Sequence, residues 1–169
     1  RMSDVRVGWG FDAHRFGGEP PLVLGGVQAS TDRGVEATSD GDIVVHAVID
    51  ALLGASALGD LGTFFPSDDP IWHGANSFHM LELTLSELTA HGWRPTFVDV
   101  TVIAQSVRIG PIREEIRVNL AAALGLDAGD KKQDIGPDNL APAGGPGVDP
   151  GSTTGRPATD LPTRPQPRP

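Results

Sequence analysis

The most regular pattern of apolar and polar positions lies in residues 42–57. Apolar residues recur there at positions 43, 44, 47, 48, 51, 52 and 55, which is the spacing of one face of an α-helix. Ser39, Asp40 and Asp42 precede this stripe and offer side chains that can cap the first turn. We therefore predict a helix over residues 42–57.

Two more helices are predicted by the same spacing and by residues that start or stop helices. One is expected to begin at a cap provided by Asn76 or Ser77 and to end near Gly92. The other is expected to begin with Pro111 at its first position and to end at Gly125.

Three stretches favour β-strands. Residues 5–11 alternate apolar and other residues, Leu22–Leu24 leads into a Gly25-Gly26 turn with a possible return strand over 27–29, and residues 97–103 are mostly β-branched. Strands and helices in this order predict an α/β fold, specifically an α+β sandwich with a mixed β-sheet and helices packed on one face.

Glycine and proline are unevenly distributed along the chain. Residues 127–169 hold 7 of the 22 glycines and 9 of the 15 prolines, with few apolar residues and no aromatic one. We expect one domain over residues 4–126 and a Pro/Gly-rich tail over residues 127–169 that is disordered.

Charge and cysteine content exclude several classes of protein. The net charge is −9, so nucleic acid binding is not expected, and a phosphate substrate would need a metal cation to offset the acidic side chains. The chain has no cysteine, no apolar run that could span a membrane and no apolar stretch after Arg1–Asp4 that would suit a signal peptide. We therefore expect a cytoplasmic protein without membrane partners.

Candidate metal ligands follow the first predicted strand. Asp12 and His14 are two residues apart, so in an extended chain they share one face. From spacing alone an ordinary surface pair is the favoured interpretation. On the predicted helix, Asp42, His46 and Asp50 form one line, which is either a solvated polar face or a second source of ligands. An Asp/His/His set from Asp12, His14 and His46 would suit a catalytic zinc site with an open position, and Asp50 could orient a ligand.

Two loops are candidates for substrate contacts. Residues 59–70 are dense in glycine, proline and aspartate and include two aromatic side chains, which is either a plain helix connection or a shaped binding loop. Residues 104–110 follow the last predicted strand, and Arg108 there is either a phosphate ligand or a surface arginine. His73, His79 and His91 are interpreted as surface or packing residues.

A set of short motifs occurs in a characteristic order. They are Gly10-Phe11-Asp12-Ala13-His14-Arg15-Phe16, Ser39-Asp40-Gly41-Asp42, His46-Ala47, Asp50-Ala51-Leu52-Leu53-Gly54-Ala55, Leu58-Gly59-Asp60-Leu61-Gly62 and Phe65-Pro66. Over residues 5–126 the chain closely resembles the 2-C-methyl-D-erythritol 2,4-cyclodiphosphate synthase family of the non-mevalonate isoprenoid pathway. The resemblance implies a lyase that converts 4-diphosphocytidyl-2-C-methyl-D-erythritol 2-phosphate to the cyclic diphosphate and releases CMP, working as a homotrimer with its sites between subunits.

The resemblance also implies roles for individual residues. Asp12, His14 and His46 would bind Zn²⁺ (or Mn²⁺), a Mg²⁺ ion would bridge the substrate phosphates, and the catalytic position would be held by Thr38 and Ser39. The remaining implied substrate contacts are Asp12, Ala13, His14, Ser39, Asp60, Leu61, Gly62, Phe65, Pro66, Ser67, Asp68, Asp69, Ala104, Gln105, Ser106, Val107, Arg108, Ile109 and Gly110.

The chain departs from the family pattern at three places. Thr38 stands where the family usually has a histidine, and Val107-Arg108 stands where many members have Pro-Lys. After the third predicted helix, residues 127–169 lack the family's further strand, threonine-rich segment, glycine-rich run and last helix. Two alternatives therefore accompany the cyclase hypothesis. One is a truncated homologue that binds metal but is catalytically impaired, and the other, prompted by Arg1 before Met2, is a fragment of a fused cytidylyltransferase–cyclase.

Overall fold

A β-hairpin and four α-helices make up the regular structure of residues 5–104 and 106–129, the part of the chain that the computed structural model describes. The strands are β1 (Leu22–Leu24) and β2 (Val27–Ser30). The helices are α1 (Ile43–Ser56), α2 (Leu61–Phe64), α3 (Ser77–Ala90) and α4 (Arg113–Leu124), and a 3-10 helix spans Pro70–Trp72.

The hairpin forms where the sequence predicts it. Its strands pair antiparallel, with Leu24 opposite Val27. Gly25 and Gly26 make the turn at φ values of +56° and +74°, a left-handed conformation that only glycine adopts without strain. The α/β class is confirmed, and the sheet that the described residues form is this two-stranded hairpin.

The helix predictions hold for α1 and α3 and need a correction for α4. Asp42 caps α1 and Asn76 caps α3, each through its side chain. Helix α4 begins at Arg113, two residues later than predicted, because Pro111 lies inside a turn closed by a hydrogen bond from the Ile112 amide to the Ile109 carbonyl. Gly125 ends α4 at a φ of +66°, as predicted.

The core lies between α1 and the elements packed around it. Helix α3 packs on α1, α4 packs on α3, and β1 lies against α1. Because α1 is surrounded in this way, it buries most of its length, including His46. The buried apolar residues are Leu22, Leu24, Val27, Val44, Val45, Val48, Ile49, Leu52, Leu53, Phe65, Met80, Leu81, Leu88, Ile116, Leu120 and Leu124.

Two strand predictions are wrong. Residues 5–11 and 97–103 show the expected alternation between exposed and half-buried positions, but neither forms a ladder with another described segment. The reason is that alternation reports which side of an extended chain is covered, whereas a strand also needs a backbone partner. The outer faces of both segments are apolar and open, with Val7 92% and Ile103 90% exposed.

The remaining predictions concern membrane spans, the domain boundary and the tail, and the helices and strands given above do not test the last two. Among the described residues, no helix combines the length and apolar character that crossing a bilayer requires. The boundary at residue 126 and the disordered tail over 127–169 stay predictions, since residues 130–169 lie outside the described part of the chain.

Candidate metal centre and active site

A cleft lies where the segment after residue 10, helix α1, the 61–72 region and helix α3 meet. Acidic, histidine and hydroxyl side chains share this cleft with apolar ones. The lining residues are Asp12, His14, Thr38, Ser39, His46, Asp50, Leu61, Phe65, Ser67, Trp72 and Met80.

Two glycines bring Asp12 and His14 to the cleft. From residue 7 to residue 14 the even-numbered positions are half-buried and the odd-numbered ones are exposed. Gly8 and Gly10 therefore face α1, so closely that a Cβ at Gly10 would lie 1.9 Å from the Ala47 carbonyl oxygen. Asp12 and His14 are the next two residues on this face, which is why their side chains reach the first turns of α1.

A buried carboxylate fixes the start of α1, one turn before His46. Asp42 is 1% exposed and accepts hydrogen bonds from the Gly25 and Gly26 amides, both at 2.8 Å, and from two amides of the first helical turn. Burial raises the pKa of Asp42 above its ordinary value, and the backbone N–H donors oppose that rise. The same side chain thus caps α1 and ties it to the hairpin turn.

Asp12, His14 and His46 converge as the sequence predicts. Oδ2 of Asp12 lies 3.0 Å from Nε2 of His14 and 2.9 Å from Nδ1 of His46. One ligand atom from each of the three residues lies within 4.8 Å of the others. Asp12 and His14 are partly buried and His46 is buried. The interpretation of Asp12 and His14 as an ordinary surface pair is therefore excluded.

The outward-facing ring nitrogens of both histidines have partners. Nδ1 of His14 lies 2.7 Å from the Glu36 carbonyl oxygen, and because a carbonyl only accepts, this nitrogen carries the proton of a neutral ring. Nε2 of His46 lies 2.9 Å from Oγ of Ser77 and 3.1 Å from Oγ of Ser39. In a neutral His14 ring the lone pair therefore belongs to Nε2, the atom that faces Asp12.

The donor set fits a divalent metal ion. Tetrahedral zinc with bonds of about 2.0–2.1 Å separates its ligand atoms by about 3.3 Å. The two distances to Asp12 are within a few tenths of an ångström of this value, and each histidine has a fixed partner for its other nitrogen, as metal-ligating histidines usually have. Three protein atoms would leave one position of a tetrahedral ion free for another ligand.

Charge at the centre also favours a cation. Burial raises the pKa of Asp12, but the hydrogen bond from His46 and the electrostatic interactions with His14 and His46 outweigh it, so the pKa lies below its ordinary value. Asp12 is therefore held ionised, as a metal-ligating carboxylate must be.

Asp50 has a different partner from the one predicted. Its Oδ1 accepts a hydrogen bond of 2.7 Å from the Leu61 amide instead of orienting a histidine. Asp60 caps α2 by accepting from the Thr63 amide at 2.7 Å, and the pKa of its carboxyl is lowered first by a hydrogen bond from the Thr63 side chain and then by this amide. Phe65, at the end of α2, is buried edge-on against Trp72 with ring centroids 4.8 Å apart. These contacts fix the part of the cleft that is lined by Asp50, Leu61, Phe65 and Trp72.

The structure brings some of the implied substrate residues to the cleft and leaves others elsewhere. Those that line it, in addition to the three metal ligands, are Thr38, Ser39, Leu61, Phe65 and Ser67. Gln105 lies outside the described residues. The implied contacts that do not line the cleft are Ala13, Asp60, Gly62, Pro66, Asp68, Asp69, Ala104, Ser106, Val107, Arg108, Ile109 and Gly110. Their roles stay predictions.

Three residues of the site were missed by sequence reasoning. Trp72 and Met80 line the cleft, and Ser77 contacts His46, although the sequence suggested Ser77 only as a possible helix cap. No local spacing relates Ser77 to His46, which is 31 residues away. Since the contact depends on how α3 packs on α1, only the fold could have revealed it.

The fold and the site define an α/β protein with an Asp/His/His centre suited to a metal ion, placed in a cleft. A sequence model of the YgbB family matches residues 5–131, and the chain belongs to this family. The chain is 47% identical over 122 residues to the 2-C-methyl-D-erythritol 2,4-cyclodiphosphate synthase of Erwinia tasmaniensis, covering 72% of this chain and 78% of that protein.

Solved structures agree with the family assignment. The bifunctional IspDF of Campylobacter jejuni matches with a TM-score of 0.70 and 37% identity, over 73% of this chain and 33% of that longer one. A CDP complex of IspF from Plasmodium falciparum matches with a TM-score of 0.61 and 34% identity, over 73% of this chain and 75% of that one.

Proposed function

We propose that the chain is a cyclodiphosphate synthase, a lyase that cyclises 4-diphosphocytidyl-2-C-methyl-D-erythritol 2-phosphate and releases CMP. In this reaction an oxygen of the 2-phosphate attacks the β-phosphorus, and the bond between that phosphorus and the bridging oxygen breaks, so that CMP leaves with the electron pair. The observation that carries the proposal is the convergence of Asp12, His14 and His46 in a cleft of a chain of this family.

The metal centre would be formed by Oδ2 of Asp12, Nε2 of His14 and Nδ1 of His46. When bound, Zn²⁺ or Mn²⁺ there would polarise a substrate phosphate, and Mg²⁺ would bridge the phosphates. A cation is needed because the chain carries a net charge of −9 and offers few basic side chains to offset a triply phosphorylated substrate.

The chain's own residues would contribute mainly by positioning. No nucleophilic side chain is required, since the attacking group belongs to the substrate, so orientation of the two phosphates decides the rate. Ser39 lines the cleft beside His46 and would donate a hydrogen bond to a phosphate oxygen. Thr38 lines the same cleft with a shorter, uncharged side chain in place of the family's usual histidine.

The part of the cleft lined by Leu61 and Phe65 would hold the methylerythritol part. Asp60 immediately precedes α2, and its carboxylate caps this helix. By resemblance, residues 104–110 would contact the cytidine diphosphate. Of these, the described residues 104 and 106–110 do not line the cleft of one chain, which is consistent with a site completed by a neighbouring subunit.

A homotrimer is supported by the exposed apolar surface. Val5, Val7, Trp9 and Phe11 are all more than 60% exposed along one edge, and Phe97 is 80% exposed on the second uncovered segment. Contiguous apolar surface of this kind marks an interface with another protein. A cytoplasmic location, expected from the sequence, stays a prediction.

Release of CMP from the diphosphocytidyl substrate in the presence of zinc and magnesium tests the proposal. We expect release that stops when a chelator removes the metal and that is lost in His46→Ala. His79→Ala is the matched control, since His79 lies on an exposed helix face and, among the described residues, its ring pairs with Glu82 alone. If the metal-loaded chain releases no more CMP than a blank with metal alone, the proposed reaction is wrong.

A further inference from the structure

Ser77 connects the metal centre to a carboxylate that no substrate or metal role explains. It is the first residue of α3 and is fully buried. Its Oγ lies 2.9 Å from Nε2 of His46 and also contacts Oδ1 of Asp40, while its backbone amide donates to Oδ2 of Asp40 at 2.9 Å. Ser77 is therefore held through both its hydroxyl and its main chain.

The direction of these hydrogen bonds follows from the chemistry of the groups. The Asp40 carboxylate only accepts, so the single Ser77 hydroxyl hydrogen points to Asp40. Oγ of Ser77 then faces His46 with a lone pair and must accept from Nε2. When a metal binds Nδ1 in place of the hydrogen that Oδ2 of Asp12 accepts at 2.9 Å, the remaining ring proton of His46 is thereby placed on Nε2.

We propose that Ser77 and Asp40 are positioning residues that fix the Nε2–H tautomer of His46 and so present its Nδ1 to the metal. The proposal rests on the metal centre proposed above. It gives His46 the same kind of support that His14 receives from the Glu36 carbonyl, although by a serine and a carboxylate instead of the main chain. Partners of this kind hold a ligand ring in place and strengthen its binding to the metal.

The same arrangement has a consequence for Ser39. Its Oγ lies 3.1 Å from Nε2 of His46 and 3.3 Å from the Gly41 amide, and neither group can accept a hydrogen bond, because the amide only donates and Nε2 carries the hydrogen that Ser77 accepts. Ser39 can therefore only accept from them, and its own hydroxyl hydrogen does not point to His46. That hydrogen is left to point into the cleft, where Ser39 is proposed to contact a phosphate.

Zinc titration of the full chain, by competition with a chromophoric chelator, tests the proposal. In Ser77→Ala we expect the zinc dissociation constant to rise about 10- to 100-fold, as for other lost partners of ligating histidines. Ser56→Ala is the matched control, since Ser56 is also buried in a helix but donates only to the Leu52 and Leu53 carbonyls. We expect its zinc affinity to equal that of the parent chain.

A nitrogen–proton NMR correlation of the imidazole rings in the zinc-loaded parent chain provides a second readout, independent of whether Ser77→Ala folds. We expect His46 to carry its proton on Nε2. An unchanged dissociation constant in folded Ser77→Ala, or a zinc-loaded His46 protonated on Nδ1, would overturn the role of Ser77. A parent chain that binds no zinc would overturn the metal centre itself, so the two failures are distinguishable.

Discussion

Gly10→Ala is the sharpest test of how the fold builds the metal centre. The substitution adds one methyl group two residues before Asp12 and changes no group that contacts metal or substrate. Its effect is predictable because the Cβ would point at the main chain of α1, which cannot move aside as a flexible side chain could.

The magnitude follows from the distances around Gly10. The new Cβ would lie 1.9 Å from the Ala47 carbonyl oxygen and 2.6 Å from the Ala51 amide nitrogen, whereas ordinary contact begins at 3.4 Å. The segment must therefore retreat from α1 by about 1.5 Å, while metal–ligand distances tolerate about 0.2 Å. Asp12 and His14 move with the segment and His46 does not, so we expect zinc affinity to fall by at least about 100-fold.

Zinc titration together with thermal unfolding in a chelator measures this effect. Gly54→Ala is the control, because nothing lies within 4 Å of the added methyl group on an exposed face of α1. It should stabilise the chain by about 0.5–1 kcal/mol through helix propensity and leave zinc binding unchanged. If Gly10→Ala binds zinc as tightly as the parent chain, the close packing of this segment on α1 does not position the ligands.

Three further predictions concern the cleft. Asp50→Ala removes the acceptor of the Leu61 amide, at a cost of about 1–3 kcal/mol in the free energy of unfolding. We expect this variant to have a higher KM and unchanged zinc affinity, and Asp50→Asn to have near-parental kinetics. An unchanged KM in Asp50→Ala would contradict the role of this hydrogen bond. Thr38→His should accelerate CMP release about tenfold or more, since an imidazole can carry positive charge toward the phosphates, and a slower variant would argue against that role. In the metal-free chain the pKa of Asp12 lies below 3.8, so its stabilisation is present above pH 3.8 and is lost as the pH falls through the folded-state pKa. The metal-free Asp12→Asn variant should therefore unfold at a lower temperature than the parent at neutral pH, and the difference in unfolding temperature should shrink in acid. A difference that does not change with pH would contradict the lowered pKa of Asp12.

The helices could be predicted because their signals are local. The apolar stripe and the Asp42 cap of α1 lie within one continuous segment, and the same holds for Asn76 and α3. Pro111 gave the wrong start for α4 because a proline fits the first turn of a helix and the turn before it equally well. The choice between them depends on the hydrogen bond that closes the turn, which the sequence does not record.

The metal ligands could be predicted for a related reason, and their supports could not. Asp12 and His14 share a face through their spacing, and the resemblance to the cyclodiphosphate synthase family adds His46 to them. Ser77 joins them only through the packing of α3 on α1. Asp50 illustrates the same limit, because its placement at the cleft was predicted and its partner, the Leu61 amide, was not.

The alternation in residues 7–14 explains both why Asp12 and His14 were predicted correctly and why the strand over residues 5–11 was predicted wrongly. The inner face carries Gly8, Gly10, Asp12 and His14, at every second position. The two glycines allow close approach to α1, and the next two residues on the same face supply the candidate ligands. Inserting one residue before Asp12 would turn both ligands away from His46. The outer face carries the apolar residues that suggested a strand, and in the described part of the chain they remain uncovered. The pattern therefore recorded two surfaces, one that packs on α1 and carries the candidate metal ligands, and one that is apolar and exposed among the described residues.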